Sequence, residues 1–183
     1  EFAPSGWGWS ANIPDFGLLA DDFAEPYMHH WHYPPELGEA VPYEGTHARV
    51  PFKPMMGAIG TALAEPGQHN ILPPREAVGG TMDIRDMSLG TVLYLPVQVP
   101  GALLSMGDPH AAQGEGEVCG TGVESPIDVN ARIELVKGAA PSAPRFTTPG
   151  STTDHLSGAG YEVTTGIGPD LLENARTALR RMV

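Results

Sequence analysis

Cysteine is almost absent: Cys119 is the only one in 183 residues. No disulfide can close within the chain, which fits a reducing compartment and makes a cytoplasmic location the expectation. Basic residues are also scarce. Ten Lys and Arg stand against 22 Asp and Glu, a formal net charge of -12 at pH 7. A chain of that sign repels a phosphate backbone, so the expected partner is a cation or a neutral small molecule rather than a nucleic acid. No apolar run approaches the roughly 20 residues that a membrane-spanning helix needs, so no membrane partner is expected either. Long helices are excluded for another reason. The chain holds 23 Gly and 19 Pro, and they interrupt nearly every window before residue 168. Proline removes a backbone donor, and both residues punctuate rather than extend a helix.

What remains is a globular composition, 41% hydrophobic and 17% charged, with enough residues for one sizeable domain or two small ones. Short runs bounded by turn residues predict a mainly β body. Strands are expected over 91–97, 101–106, 118–123, 127–136 and 161–165, and a strand leading into a turn over 17–23. The apolar segment 49–62 contains Gly57 and Gly60, which predict close backbone approaches. One helix is expected, opened by Gly168 or Pro169 with Asp170 in its first turn. Leu171, Leu172, Ala175, Ala178, Leu179 and Met182 trace one apolar stripe along it.

The densest chemistry lies in 107–117. That run holds Asp108, His110, Gln113, Glu115 and Glu117 among three glycines and carries no large apolar side chain. Asp108 and His110 are separated by one residue, so an extended backbone sets both on one face. Such mixed oxygen and nitrogen donors suit a divalent metal, with Asp83 arriving from a neighbouring strand. Hydrolysis of an unreactive bond needs an activated water, a proton shuttle and charge stabilisation, and a metal beside a carboxylate supplies all three. Glu117 and Glu124 differ by an odd number of residues, so one regular strand would face them apart. Either a bulge reconciles them or only one belongs to the site. The bland alternative is a set of carboxylates solvating turns.

Other candidates compete less well. His29, His30 and His32 read as a packed or surface aromatic cluster, because no acidic partner lies near them in sequence. Cys119 with Glu117 and Lys53 or Lys137 suggests a Cys-Glu-Lys amidase, although a cysteine in a strand is more often inert packing. Met55, Met56 and the three tryptophans read as core.

The segments 49–60, 73–83, 90–103 and 107–124 resemble, in order, consecutive motifs of the acetamidase/formamidase family. Residues 17–19 and 165–171 extend the resemblance at both sides. Gly107-Asp108-x-His110-Ala111-x-Gln113-Gly114-x-Gly116-Glu117 is its most specific part. The resemblance implies a β-sandwich- or barrel-like fold and a single domain over 1–183 that lacks flanks present in longer family members. It implies hydrolysis of short aliphatic amides to carboxylate and ammonia, a divalent metal (zinc, or calcium), and a homo-oligomer or a complementing chain. Carried onto this sequence, it makes Asp83, Asp108 and His110 the expected metal ligands and Glu117 the expected general base, with Glu124 in reserve. Gly79, Gly80 and Gln113 are then expected at the substrate. Thr81 stands where the family has Asn. The alternatives are a non-catalytic metal- or ligand-binding β-domain and a cyclic-amide hydrolase.

Overall fold

The computed structural model describes residues 1–34, 40–43, 45, 47–150 and 158–183. Thirteen strands and one helix among the described residues confirm the mainly β reading. The contacts divide the chain into two compact units, Glu1–Gly57 with Asp83–Leu89 and Asp108–Arg132, and Ala58–Met82 with Gly90–Gly107 and Ile133–Val183.

In the first unit, β1 (Phe2–Pro4) pairs antiparallel with β11 (Ile127–Val129). β2 (Trp7–Asn12) pairs residue for residue with β3 (Tyr27–His32), from Trp7 opposite His32 to Asn12 opposite Tyr27. β10 (Val123–Glu124) joins β2 to β9 (Ser105–Ala112), and β6 (Met55–Gly60) lies beside β9. β4 (Ala40–Pro42) and β5 (Arg49–Pro51) form a separate pair. Trp31, Tyr33, Val41, Ala111, Ala112 and Val123 make the core, with Tyr43, Val50 and Phe52 packed against it. Small Ala111 and Ala112 beside large aromatic side chains let β9 approach this core closely. His29 contributes to it as an aromatic, 4.3 Å from the Tyr43 ring and 4.8 Å from Trp31. The tryptophans divide: Trp31 is core, whereas Trp7 is 45% exposed.

In the second unit, the end of β6 pairs with β7 (Gly79–Thr81), Ala58 opposite Thr81 and Gly60 opposite Gly79. β12 (Arg145–Thr147) lies between β8 (Val92–Tyr94) and β13 (Glu162–Thr164). α1 (Leu171–Met182) follows β13, and Asp170 is its N-cap, accepting from the Glu173 N–H at 2.8 Å, rather than a first-turn residue. An aspartate cap satisfies a helix-end donor that no carbonyl can reach. Arg181 ties the helix to its unit by two 2.8 Å bonds to Glu76 and one to the Thr165 carbonyl. The apolar stripe is therefore not the docking face. Leu171, Leu172, Leu179 and Met182 are all exposed.

Several expected strands are shorter or displaced. Residues 17–22 are turn, and 118–122 contain no strand. The strand expected over 101–106 begins only at Ser105, and runs through Asp108 and His110 instead of ending before them. The reason lies in the backbone: Ala102 and Leu103 have φ of 56° and 49°, a left-handed turn that an apolar run does not announce. The stretch expected over 127–136 keeps strand only to Val129.

Met55 anchors β6 with no exposed surface. Met55→Ala is expected to cost about 2–5 kcal/mol by chemical denaturation, since it removes a buried side chain and leaves a cavity.

Candidate functional site

The site is built around His110 on β9, a side chain 1% exposed. Asp108 precedes it by two residues, and Asp108 Oδ1 lies 3.3 Å from His110 Nε2. Glu124 sits directly opposite His110 in the β9–β10 register, so its Oε2 comes within 3.0 Å of the same nitrogen. Cross-strand neighbours are the closest side-chain pairs a sheet offers. The register shifts between Val123 and Glu124. Glu117 and Glu124 do not share one regular strand, because 113–122 contain no strand, so their odd spacing does not turn them apart. Glu124 Oε1 accepts from the Gly122 N–H at 2.9 Å, which holds the carboxylate in place.

Glu117 enters from the loop after β9. Its φ is +39° and its carbonyl accepts from the Gly120 N–H at 2.7 Å, so a tight turn throws the side chain back toward the strand. Glu117 Oε1 stops 3.5 Å from His110 Nδ1. Gln113 Oε1 is nearer that nitrogen, at 2.8 Å, while the Gln113 amide donates to the Asp83 main-chain carbonyl. Asp83 follows β7 in sequence, and its N–H bonds the Gly57 carbonyl of β6 at 3.2 Å. The structure thus brings together Asp83, Asp108, His110, Gln113, Glu117 and Glu124. Gly79 and Gly80 belong to the second unit, in β7, opposite Gly60 and Ile59.

Two glycines make room for this cluster. A Cβ on Gly57 would stand 2.5 Å from Asp83 Oδ1 and 2.7 Å from the Asp108 carbonyl oxygen. A Cβ on Gly122 would meet His110 Nδ1 at 2.8 Å and Glu117 Oε1 at 3.2 Å. Gly57 was foreshadowed by its place in an apolar strand; Gly122 carried no such signal. Backbone strain concentrates here too. Asp83, Asp108 and Glu117 all have positive φ, 46°, 59° and 39°. Such conformations cost about 1–3 kcal/mol each and cluster where function requires a fixed side chain.

Electrostatics point the same way. Burial, then the Asp108 charge, pushes Asp83 up to about 6. Burial, then Asp83, pushes Glu117 up to about 7. Burial opposes protonation of His110, but hydrogen bonds to Asp108 and Glu124 overcome it and lift the imidazole to about 10. The same His110 bond holds Asp108 below the ordinary carboxylate range against its own burial. One imidazolium cannot neutralise four carboxylates, and Asp83 Oδ1 and Glu117 Oε1 are buried without a hydrogen-bond partner. Asp83, Asp108 and His110 form one group of donor atoms within 4.8 Å of one another, and His110, Glu117 and Glu124 form a second. Buried, unpartnered oxygen donors beside an imidazole fit a divalent cation.

The other candidates are otherwise engaged. Lys53 binds Asp86 at 2.8 Å, and Cys119 Sγ contacts Thr121 Oγ1 at 3.4 Å and the Thr121 carbonyl at 3.5 Å. Among the described residues, His29, His30 and His32 belong to neither group of metal donors.

The model of the acetamidase/formamidase family matches residues 62–183. The chain belongs to this family. It is 34% identical over 118 residues to a formamidase-named protein of Schizosaccharomyces pombe, covering 61% of this chain and 28% of that one. Crystal structures of an acetamidase/formamidase from Thermoanaerobacter tengcongensis and of an acetamidase from Yersinia enterocolitica match all of this chain. Their TM-scores are 0.81 and 0.77, their identities 28% and 30%, and 55% and 54% of their own lengths are covered. The chain therefore spans about half the length of these family structures and about a quarter of the Schizosaccharomyces pombe relative. No helix among the described residues is long and apolar enough to cross a membrane.

In metal-free protein, the raised Asp83 and Glu117 bind protons in the folded state that the unfolded chain has released. Stability then falls as pH rises from about 5 to 7, the interval leading up to their folded values of about 6 and about 7. His110 contributes fully below its unfolded value of 6.5 and is lost only as pH rises through about 10, so it does not oppose this trend. Added zinc should reverse the slope of Tm against pH, because metal binding requires the deprotonated carboxylates. A metal-free Tm that rises over this interval would contradict the arrangement. Gly57→Ala should weaken metal binding by about tenfold or more through displaced Asp83 and Asp108, measured by calorimetric titration.

Proposed function

We propose that this chain carries the metal and proton-transfer centre of an amidohydrolase acting on short aliphatic amides such as formamide and acetamide. The observation that carries the proposal is the pairing of a buried, unpartnered Glu117 oxygen with the His110 cluster in a member of the acetamidase/formamidase family. Asp83, Asp108 and His110 would hold the metal, with Glu124 beside them, and the oxygen-rich donor set is compatible with zinc. A divalent cation in that position supplies polarisation of the amide carbonyl and acidification of water.

The protein's own groups do the remaining work. Glu117, pushed up to about 7 by burial and by Asp83, can accept a proton from the attacking water and give it to the departing ammonia near neutral pH. Its pKa lies close to the value that balances those two duties. The left-handed backbone at Glu117 keeps the carboxylate aimed at the site. Asp108 and Glu124 both meet the imidazole at Nε2, and Gly122 keeps space beside its Nδ1. The negative cluster admits a neutral amide and disfavours retention of a carboxylate product.

The fraction of its relatives' length that the chain covers supports one other reading, a metal-binding domain of the family without turnover of its own. Ammonia release from formamide, acetamide and a cyclic amide, with and without chelator, separates the readings. Glu117→Gln should lower turnover by about 10²–10⁴-fold while keeping bound metal. Asp108→Asn should lower metal content and turnover together. Folded, zinc-loaded protein that releases no ammonia would rule out the hydrolase for this chain.

A further inference from the structure

The two groups of donor atoms share His110, whose Nε2 faces Asp108 and Glu124 and whose Nδ1 faces Gln113 and Glu117. We propose that Gln113 is a positioning residue that holds His110 with its hydrogen on Nδ1. Nε2 is then the nitrogen presented to a divalent cation, and Glu117 is left as an unbound proton acceptor. This rests on the metal-centre reading above and departs from the expectation that Gln113 contacts substrate.

The argument starts from the Gln113 amide. Its Nε2 faces the main-chain carbonyl of Asp83, a group that can only accept. Reversing the amide would press one acceptor oxygen against another, so the hydrogen-bond network permits a single orientation. Gln113 Oε1 must then be the atom 2.8 Å from His110 Nδ1. An amide oxygen cannot donate, so Nδ1 carries the hydrogen. The other nitrogen, Nε2, faces Asp108 Oδ1 at 3.3 Å and Glu124 Oε2 at 3.0 Å. The tautomer of a metal-binding histidine is set by the bond its second nitrogen makes.

Glu117 is the competitor. Its Oε1 lies 3.5 Å from Nδ1 and has no hydrogen-bond partner. Gln113, closer by geometry, occupies the Nδ1 hydrogen and keeps Glu117 from being tied down by it. Without the Gln113 oxygen, the Nδ1 hydrogen would turn to Glu117 and consume the base. The same amide links the Asp83 backbone to the His110 ring across 30 residues of sequence, coupling two segments that supply metal ligands.

The test reads the ring directly. Protein labelled with ¹⁵N-histidine and loaded with Zn²⁺ is examined by long-range ¹H–¹⁵N correlation. His110 is expected to show a protonated Nδ1 and a metal-bound Nε2. Zinc on Nδ1, or an unprotonated Nδ1, would overturn the proposal. Gln113→Leu should weaken zinc binding by about 10–100-fold and shift the Nδ1–H resonance away from its parent position as that hydrogen turns to Glu117. Gln113→Glu keeps an acceptor against Nδ1 and should return the Nδ1–H resonance toward its parent position. Gln113→Leu with an unchanged Nδ1–H resonance and zinc affinity within about twofold of the parent would reduce Gln113 to packing. If the leucine variant does not fold, the parent and Gln113→Glu spectra still decide. If the parent binds no zinc, the metal-centre reading fails separately. The neutral ring is then read in metal-free protein at alkaline pH, where hydrogen on Nε2 would overturn the proposal. None of these readouts requires amide hydrolysis.

Discussion

Four carboxylates converge on one buried imidazole, and their mutual repulsion is the constraint around which the site is arranged. His110 is shielded from solvent and meets Asp108 and Glu124 through Nε2 and Gln113 through Nδ1. Its protonation relieves part of the charge, which is why it stays charged far above the ordinary histidine range. Asp83 and Glu117 answer the remainder by holding their protons more tightly. A divalent cation bound among these donors would remove the need for both adjustments and so link folding to proton uptake. The left-handed backbone at Asp83, Asp108 and Glu117 belongs to the same design. Each residue is held in a sparsely populated conformation of the kind that clusters at functional sites.

The sheet makes this concentration of charge tolerable. β9 is anchored to the Trp31, Tyr33 and Val41 core through Ala111 and Ala112, directly after the residues that bear the chemistry. The Lys53 N–H bonds the Ala111 carbonyl at 3.0 Å, which fixes the strand between its neighbours. Glycine at positions 57 and 122 then provides clearance where any side chain would strike the cluster. Packing at the end of β9 and missing side chains on the segments beside it are complementary requirements. The first fixes the strand, and the second lets carboxylates approach the ring.

Much of this was legible in the sequence, and the parts that were not share a cause. The spacing Asp108-x-His110 indicated one face, and the odd separation of Glu117 and Glu124 demanded an irregularity. That irregularity is the turn at Glu117 and the strand-free stretch that follows it. The strand expected over 101–106 was misplaced because the positive φ of Ala102 and Leu103 is dictated by neighbours, not by propensity. The helix stripe from Leu171 to Met182 was legible as a pattern but not as a contact. Arg181 and Glu76 determine which side of α1 faces its unit, and they lie 105 residues apart. Gly122 went unnoticed because nothing local marks a glycine whose role is to avoid a side chain on another strand.

Composition and motif order were sufficient, by themselves, to establish a mainly β chain, its family resemblance, and the acidic segment that bears the candidate chemistry. Those properties are local: helix exclusion follows from proline and glycine, and donor type follows from residue identity. Which donors meet was decided only by the tertiary structure. Glu124 reaches His110 through strand register, Asp83 arrives through its bond to Gly57, and Gln113 displaces Glu117 from Nδ1 by a difference of 2.8 Å against 3.5 Å. Distances of that kind arise from pairing and close packing between segments far apart in the chain, and no sequence spacing encodes them.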